Sequence, residues 1–152
     1  MKAMSPVFKL FFTVCAAVML FAIPAHGENS YSPVGYWQTY DEDTNQPTSI
    51  LHVWENKGVL QGKVVKIFGN QSAVCSACSG SQHNQPVMGM MVMWGFTKHD
   101  NVWTNGKILA IKRGKVYNAD LALTDAGQKM TVRVSVFGSK HELHWTRAQN
   151  WK

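Results

Sequence analysis

From residue 130 to residue 136 apolar and polar side chains alternate without a break, with Met130, Val132, Val134 and Val136 on one parity and Thr131, Arg133 and Ser135 on the other. Successive side chains of a strand point to opposite faces, so this pattern describes a ribbon with one face buried and one wet. Further β-type segments occur at 35–40, 48–55, 59–68, 90–96, 102–109, 116–124 and 141–147. In the segment 116–124, Tyr117, Ala119, Leu121 and Leu123 share a face, while Asn118 and Asp120 share the other. Turn-forming residues separate the segments, at Asn56-Lys57-Gly58, Lys98 to Asn101, Arg113-Gly114-Lys115, Asp125 to Gln128 and Gly138. No stretch holds a 3.6-residue apolar period. Eight short strands in hairpin succession predict an all-β fold, a small antiparallel up-and-down barrel, because closure removes exposed sheet edges. The interior of such a barrel is either packed with side chains or holds one small ligand.

The N-terminus obeys different rules. Lys2 and Lys9 flank a segment without acids, and an apolar run from Leu10 to Pro24 leads into Ala25, His26 and Gly27. That layout predicts a secretory signal peptide over 1–27, cut after Gly27 or, as second choice, after Ala25. The run is shorter than the ~20 residues that span a bilayer. No transmembrane span is therefore expected once it is removed, and residues 28–152 are expected to form a single barrel domain. Cys15 lies inside the apolar run, behind Phe12-Thr13-Val14, which is a poor lipobox, and it goes with the signal. Removal takes Lys2 and Lys9 from the 15 basic residues and leaves the nine acids, a charge of about +4. Those bases are scattered, and no nucleic-acid-binding motif accompanies them, so no nucleic-acid partner is expected. Anionic lipid headgroups or acidic glycans are the alternative to a merely solvated basic surface. Nothing in the sequence names a protein partner.

One segment, residues 69–89, lacks the alternation and holds the Cys-x-x-Cys of Cys75 and Cys78. These are the two cysteines left after the signal, and in an oxidising compartment such a pair forms a disulfide. Two other uses of the loop stay open at this level. A redox role needs a thiolate activated by a helix N-terminus or a cation, and Ser76, Ala77, Ser79 and Gly80 suggest a loop instead. A metal role would add His83, with Met88 or Met90 as soft ligands suited to Cu(I). Structural zinc takes four ligands, and Cys75, Cys78 and His83 supply three. Elsewhere, Asp41, Asp43 and Asn45 imitate half of a calcium loop, but Gln46 and His52 occupy the positions of its glycine and closing glutamate. His141 and His144 fall on opposite faces of their strand. Neither a nucleophile elbow nor a phosphate loop is present.

Two resemblances follow from particular residues. Gly35-Tyr36-Trp37 at the first strand and Arg147 at the last resemble the calycin superfamily, the lipocalins and fatty-acid-binding proteins. The resemblance implies that Gly35, Trp37 and Arg147 close the barrel floor, with the guanidinium stacked on the indole. The second resemblance covers 33–147. The opening PVGYWQTYDEDTNQPTSILHVWE, the hairpin KGVLQGKVVKI, the block CSACSGSQHNQPVMGMMVMWG, the segment GKILAIKRGKVYNADLALTDAGQKMTVRV and the closing FGSKHELHWTR are similar to the bacterial secreted family known as domain of unknown function 2147. That kinship implies export across the inner membrane to the periplasm or envelope, and it supplies no reaction.

Together these readings predict a non-catalytic barrel, without a cofactor, that binds a small apolar or lipid-like molecule. Tyr117, Leu121, Met130, Val132, Val134, Met91 and Met93 are its candidate lining. The alternatives are a solid-cored structural or interaction module of the envelope, and a redox or copper- or zinc-binding protein working through Cys75, Cys78 and His83.

Overall fold

The computed structural model describes residues 31–151, and the signal peptide expected over 1–27 lies outside them. Eight antiparallel strands form a closed barrel in sequence order. They are β1 (Gly35–Tyr40), β2 (Pro47–Asn56), β3 (Val59–Ile67), β4 (Met91–His99), β5 (Val102–Ala110), β6 (Lys115–Thr124), β7 (Lys129–Val136) and β8 (Ser139–Arg147). The largest departure from the sequence expectation is β4. It runs on to His99 because Asp100 and Asn101 alone make the turn, with His99 paired to Val102.

Most seams are long ladders, seven residue pairs between β6 and β7 and eight between β7 and β8. The closing seam of β1 with β8 has two, Trp37 with Arg147 and Gln38 with Thr146. Side chains supplement it, since the Tyr40 and Thr146 hydroxyls are 2.7 Å apart.

Filling is uneven along the barrel axis. At the floor, where β1 begins and β8 ends, Trp37, Val53, Leu60, Met93, Phe96, Leu121, Met130 and Val132 pack without solvent contact. Two glycines make room for the largest of them. A Cβ on Gly106 would lie 2.2 Å from carbons of the Phe96 ring, and one on Gly62 would lie 2.5 Å from Cγ of Met93. Toward the other end, here called the mouth, Thr39, Ser49, Val64, Val92 and Ala110 alternate with the larger Leu51, Ile108, Tyr117, Leu143 and Trp145, and open space is left between them.

β4 breaks the simple period. Against β3 it carries two extra residues, so Leu60 faces Phe96, Gly62 faces Met93 and Lys63 faces Met91. Bulges of this kind re-aim side chains. Consecutive Val92 and Met93 are both buried as a result, and Met91 is only half-buried.

Candidate binding site at the barrel mouth

The mouth half of the barrel holds a cavity of about 660 Å³. Leu51, Val64, Ile108, Val134, Leu143 and Trp145 give it apolar walls, and the Phe96 and Met93 layer lies below. One wall carries a cluster of hydroxyls. Thr39 Oγ1 lies 2.8 Å from Thr48 Oγ1 and 2.7 Å from Ser49 Oγ, a chain of three hydroxyls at the β1–β2 end. Hydroxyls both donate and accept, so this cluster can satisfy either kind of polar group on a guest. Tyr117 and His141 add polar atoms from β6 and β8.

Residues 69–89 form the cover. Ala73, Val74, Ser76, Ala77 and Val87 face the cavity from this loop. A bridge between Val74 and Pro86 and the bonds from Val87 N to Ala73 O and from Cys75 N to Gln85 O, both 2.9 Å, fold the loop on itself. Cys75 and Cys78 are joined in a disulfide and are 1% and 4% exposed. The Cys75 sulfur lies 3.5 Å from the Ile111 carbonyl oxygen. Gly114 completes the contact, because any Cβ there would strike the Ala77 carbonyl oxygen at 1.8 Å. The disulfide thus seats the cover on the β5–β6 turn. His83 holds the outer side, its Nδ1 2.9 Å from Cys78 O and its Nε2 3.1 Å from Asn84 Nδ2. Among the described residues no three His, Cys, Asp or Glu side chains gather as metal ligands. In this oxidised form the two sulfurs bond each other.

An ion pair spans the mouth from Lys112 on the β5–β6 turn to Asp41 on the β1–β2 loop, four strands away. The Lys112 ammonium, and then the Thr44 amide and hydroxyl, hold the Asp41 carboxyl well below the usual carboxylate range. Asp41 in return raises the Lys112 pKa. The bonds from Asp43 N and Thr44 N to Asp41 Oδ1 make the run 41–45 a carboxylate-capped turn.

At the floor, the Arg147 guanidinium lies 4.0 Å from the centroid of the Trp37 ring. Trp37 Nε1 donates to Pro33 O at 2.7 Å. Arg147 donates to Val34 O at 2.7 Å, Ser32 O at 2.9 Å and Gly127 O at 3.0 Å. Burial lowers its pKa, while the carbonyl oxygens ring the retained charge. Gly35 lies against this fork, with φ 130° and room for no Cβ, which would lie 2.8 Å from Nη1.

Of the seven residues expected to line a ligand site, Tyr117 and Val134 line the cavity. Leu121, Met130, Val132 and Met93 instead fill the solid floor, and Met91 stands outside the cavity because the β4 bulges turn it away. Parity identifies the inward face of a strand but not the height along the axis at which the filling stops. Sequence reading missed Thr39 and Ser49. Their trace was present as hydroxyl residues on the inward parity of Trp37 and Leu51, both toward the same end of the barrel.

A closed eight-stranded meander with a half-filled interior, a guanidinium-capped tryptophan at the floor and a loop over the mouth defines a lipocalin-like barrel. Over residues 35–151 the chain matches the family described as "Uncharacterized protein conserved in bacteria" (DUF2147), and it belongs to that family. Among solved structures it is similar to "Protein HP1028 from the human pathogen Helicobacter pylori belongs to the lipocalin family". The TM-score is 0.70 and the identity 16%, covering 80% of this chain and 86% of that one. No curated protein matches it in sequence.

Proposed function

We propose that this protein is a non-catalytic carrier that takes one small apolar or amphipathic molecule into the mouth cavity. The supporting observation is the uneven filling of the barrel. The floor is packed solid around Phe96 and Met93, yet about 660 Å³ is left beneath a disulfide-seated cover. Small-molecule sites have this form, a mostly apolar recess of roughly 300–1,000 Å³ with a few convergent polar groups. An apolar tail would lie on Leu51, Ile108 and Val134, and a polar end would meet the Thr39, Thr48 and Ser49 hydroxyls. The lipocalin likeness of the fold agrees with this reading. The exported, envelope location implied by residues 1–27 is part of the same proposal, since a carrier without an enzyme's machinery suits a compartment that apolar molecules must cross.

Native mass spectrometry of the protein purified from its own envelope tests both parts. A chain beginning at Glu28 or His26, with a retained mass of lipid size, is the expected result. In parallel, the double substitution Val92→Trp, Val134→Trp should abolish uptake of a fluorescent naphthalene sulfonate probe while the far-ultraviolet spectrum stays that of a barrel. Equal probe uptake by this filled variant would overturn the cavity as the site.

A further inference from the structure

The outer surface at one corner of the mouth carries a feature that the cavity does not use. The β6–β7 ladder ends with Asn118 opposite Ser135, and Val116 near the start of β6 and Phe137 just past the end of β7 lie beyond that last pair, at the same corner of the barrel. Both are exposed, Val116 by 45% and Phe137 by 96%. Phe137 begins the two-residue turn into β8 with φ 46°, followed by Gly138 at 84°. Turns with both central φ positive select Asn-Gly or Asp-Gly, because a side chain crowds the backbone in that region. A phenylalanine there combines backbone strain with a hydrated ring, and nothing among the described residues packs against it in return. Strain that packing among the described residues does not explain points to a further contact.

The surroundings narrow the kind of contact. Arg113, which also borders the mouth cavity, Lys115 and Lys140 are exposed on these segments, no acid occurs from residue 112 to 119 or from 134 to 141, and the acids of the β1–β2 loop are turned to Lys112. The nearest acid on β8, Glu142, is engaged by Arg133 at 2.8 Å. A projecting hairpin tip with two apolar side chains is too small and convex for a protein interface, which needs roughly 800 Å² per partner. It suits shallow entry at a headgroup boundary, with apolar side chains below and cations level with the phosphates.

We infer that the β6–β7–β8 corner is a docking face for a bilayer rich in anionic phospholipid. Phe137 and Val116 enter the interface, and Arg113, Lys115 and Lys140 lie against the phosphates. The docking face goes beyond the carrier reading and stands without it, because none of its contacts needs an occupied cavity.

The test is flotation of the protein, purified from its own host, with two kinds of vesicle. One is phosphatidylglycerol mixed with phosphatidylethanolamine, the other phosphatidylcholine alone. Binding to the first and not the second is expected, weakening as salt rises through physiological strength. Phe137→Asn should lower binding at least about fivefold, the scale of removing one aromatic ring from an apolar phase, while the melting temperature holds or rises because Asn suits the turn. The pair Lys115→Gln, Lys140→Gln should flatten the salt dependence. Wild-type protein that ignores anionic vesicles, or a Phe137→Asn protein that loses less than about fivefold, overturns the docking face. Neither result would bear on probe uptake by the cavity, so the two proposals fail separately.

Discussion

Replacing Arg147 by lysine keeps a positive charge at the floor and removes the planar fork. The guanidinium stacks 4.0 Å from the centroid of Trp37 and donates to the carbonyls of Val34, Ser32 and Gly127. The stacking contributes about 0.5–2 kcal/mol. A hydrogen bond from a charged donor contributes about 1.5–3 kcal/mol when sheltered, and less at the exposed Val34 and Ser32 carbonyls. An ammonium on a flexible stem can recover one of the three bonds but cannot stack and fork together. The net expected loss is about 2–4 kcal/mol. It should fall on the β1–β8 seam, whose ladder has two residue pairs. Urea unfolding gives the total, and amide exchange gives the location. Gln38 and Thr146 amides should lose protection before those of β7, which is paired along its length. A double-mutant cycle with Trp37→Phe should return a coupling near the stacking value. An Arg147→Lys protein within about 0.5 kcal/mol of wild type, or one losing protection evenly around the barrel, would refute the view that side chains hold this seam.

Three further outcomes follow from the same geometry. Gly106→Ala drives a methyl into the Phe96 ring and should cost about 1–3 kcal/mol in urea unfolding, with Phe96→Leu restoring part of the loss; no loss would mean that the floor is loosely packed. Cys75→Ser with Cys78→Ser opens a ring of four residues, worth about 2 kcal/mol by the loop-entropy relation. Exchange should then quicken within residues 69–89 and probe entry should accelerate, while the strands stay protected; loss of strand protection would make the disulfide part of the barrel's own stability. Asp41→Asn removes the ion pair across the mouth and should speed probe entry without altering the final amount bound. Because the Asp41 pKa is depressed, its contribution is complete above the ordinary carboxylate range near pH 4 and is lost only as pH falls through the lowered value. Entry rates should therefore be flat from about pH 5 to 8, and a step in that window would assign the gate to another group.

The eight strands were legible because their period of two survives wherever one face is buried, as in Met130 to Val136. The floor was readable through a resemblance, since nothing in the spacing of Gly35, Trp37 and Arg147 says that they meet. What the sequence concealed is axial. Met93 and Val134 read equally as inward, yet one fills the floor and the other borders empty space, because the difference depends on what faces each across the barrel. The β4 bulges were equally hidden, since two extra residues leave no compositional trace other than Gly95, whose φ is 79°. For the cover loop, the cysteine pair was plain, but its seat against Ile111 and Gly114 is a contact between segments that are distant along the chain.

The seam that joins the first strand to the last also sets a schedule. Tyr40 and Thr146, whose hydroxyls meet across it, are 106 positions apart in the chain. A chain growing or moving N-terminus first cannot bring them together until residue 146 has emerged. Until then β1 has β2 as its single neighbour, and the Trp37 indole waits without its guanidinium. Contacts this distant are late and slow to form. The barrel therefore stays open through most of its synthesis, a pliable thread for any machinery that handles unfolded polypeptide, and locks when the final strand arrives.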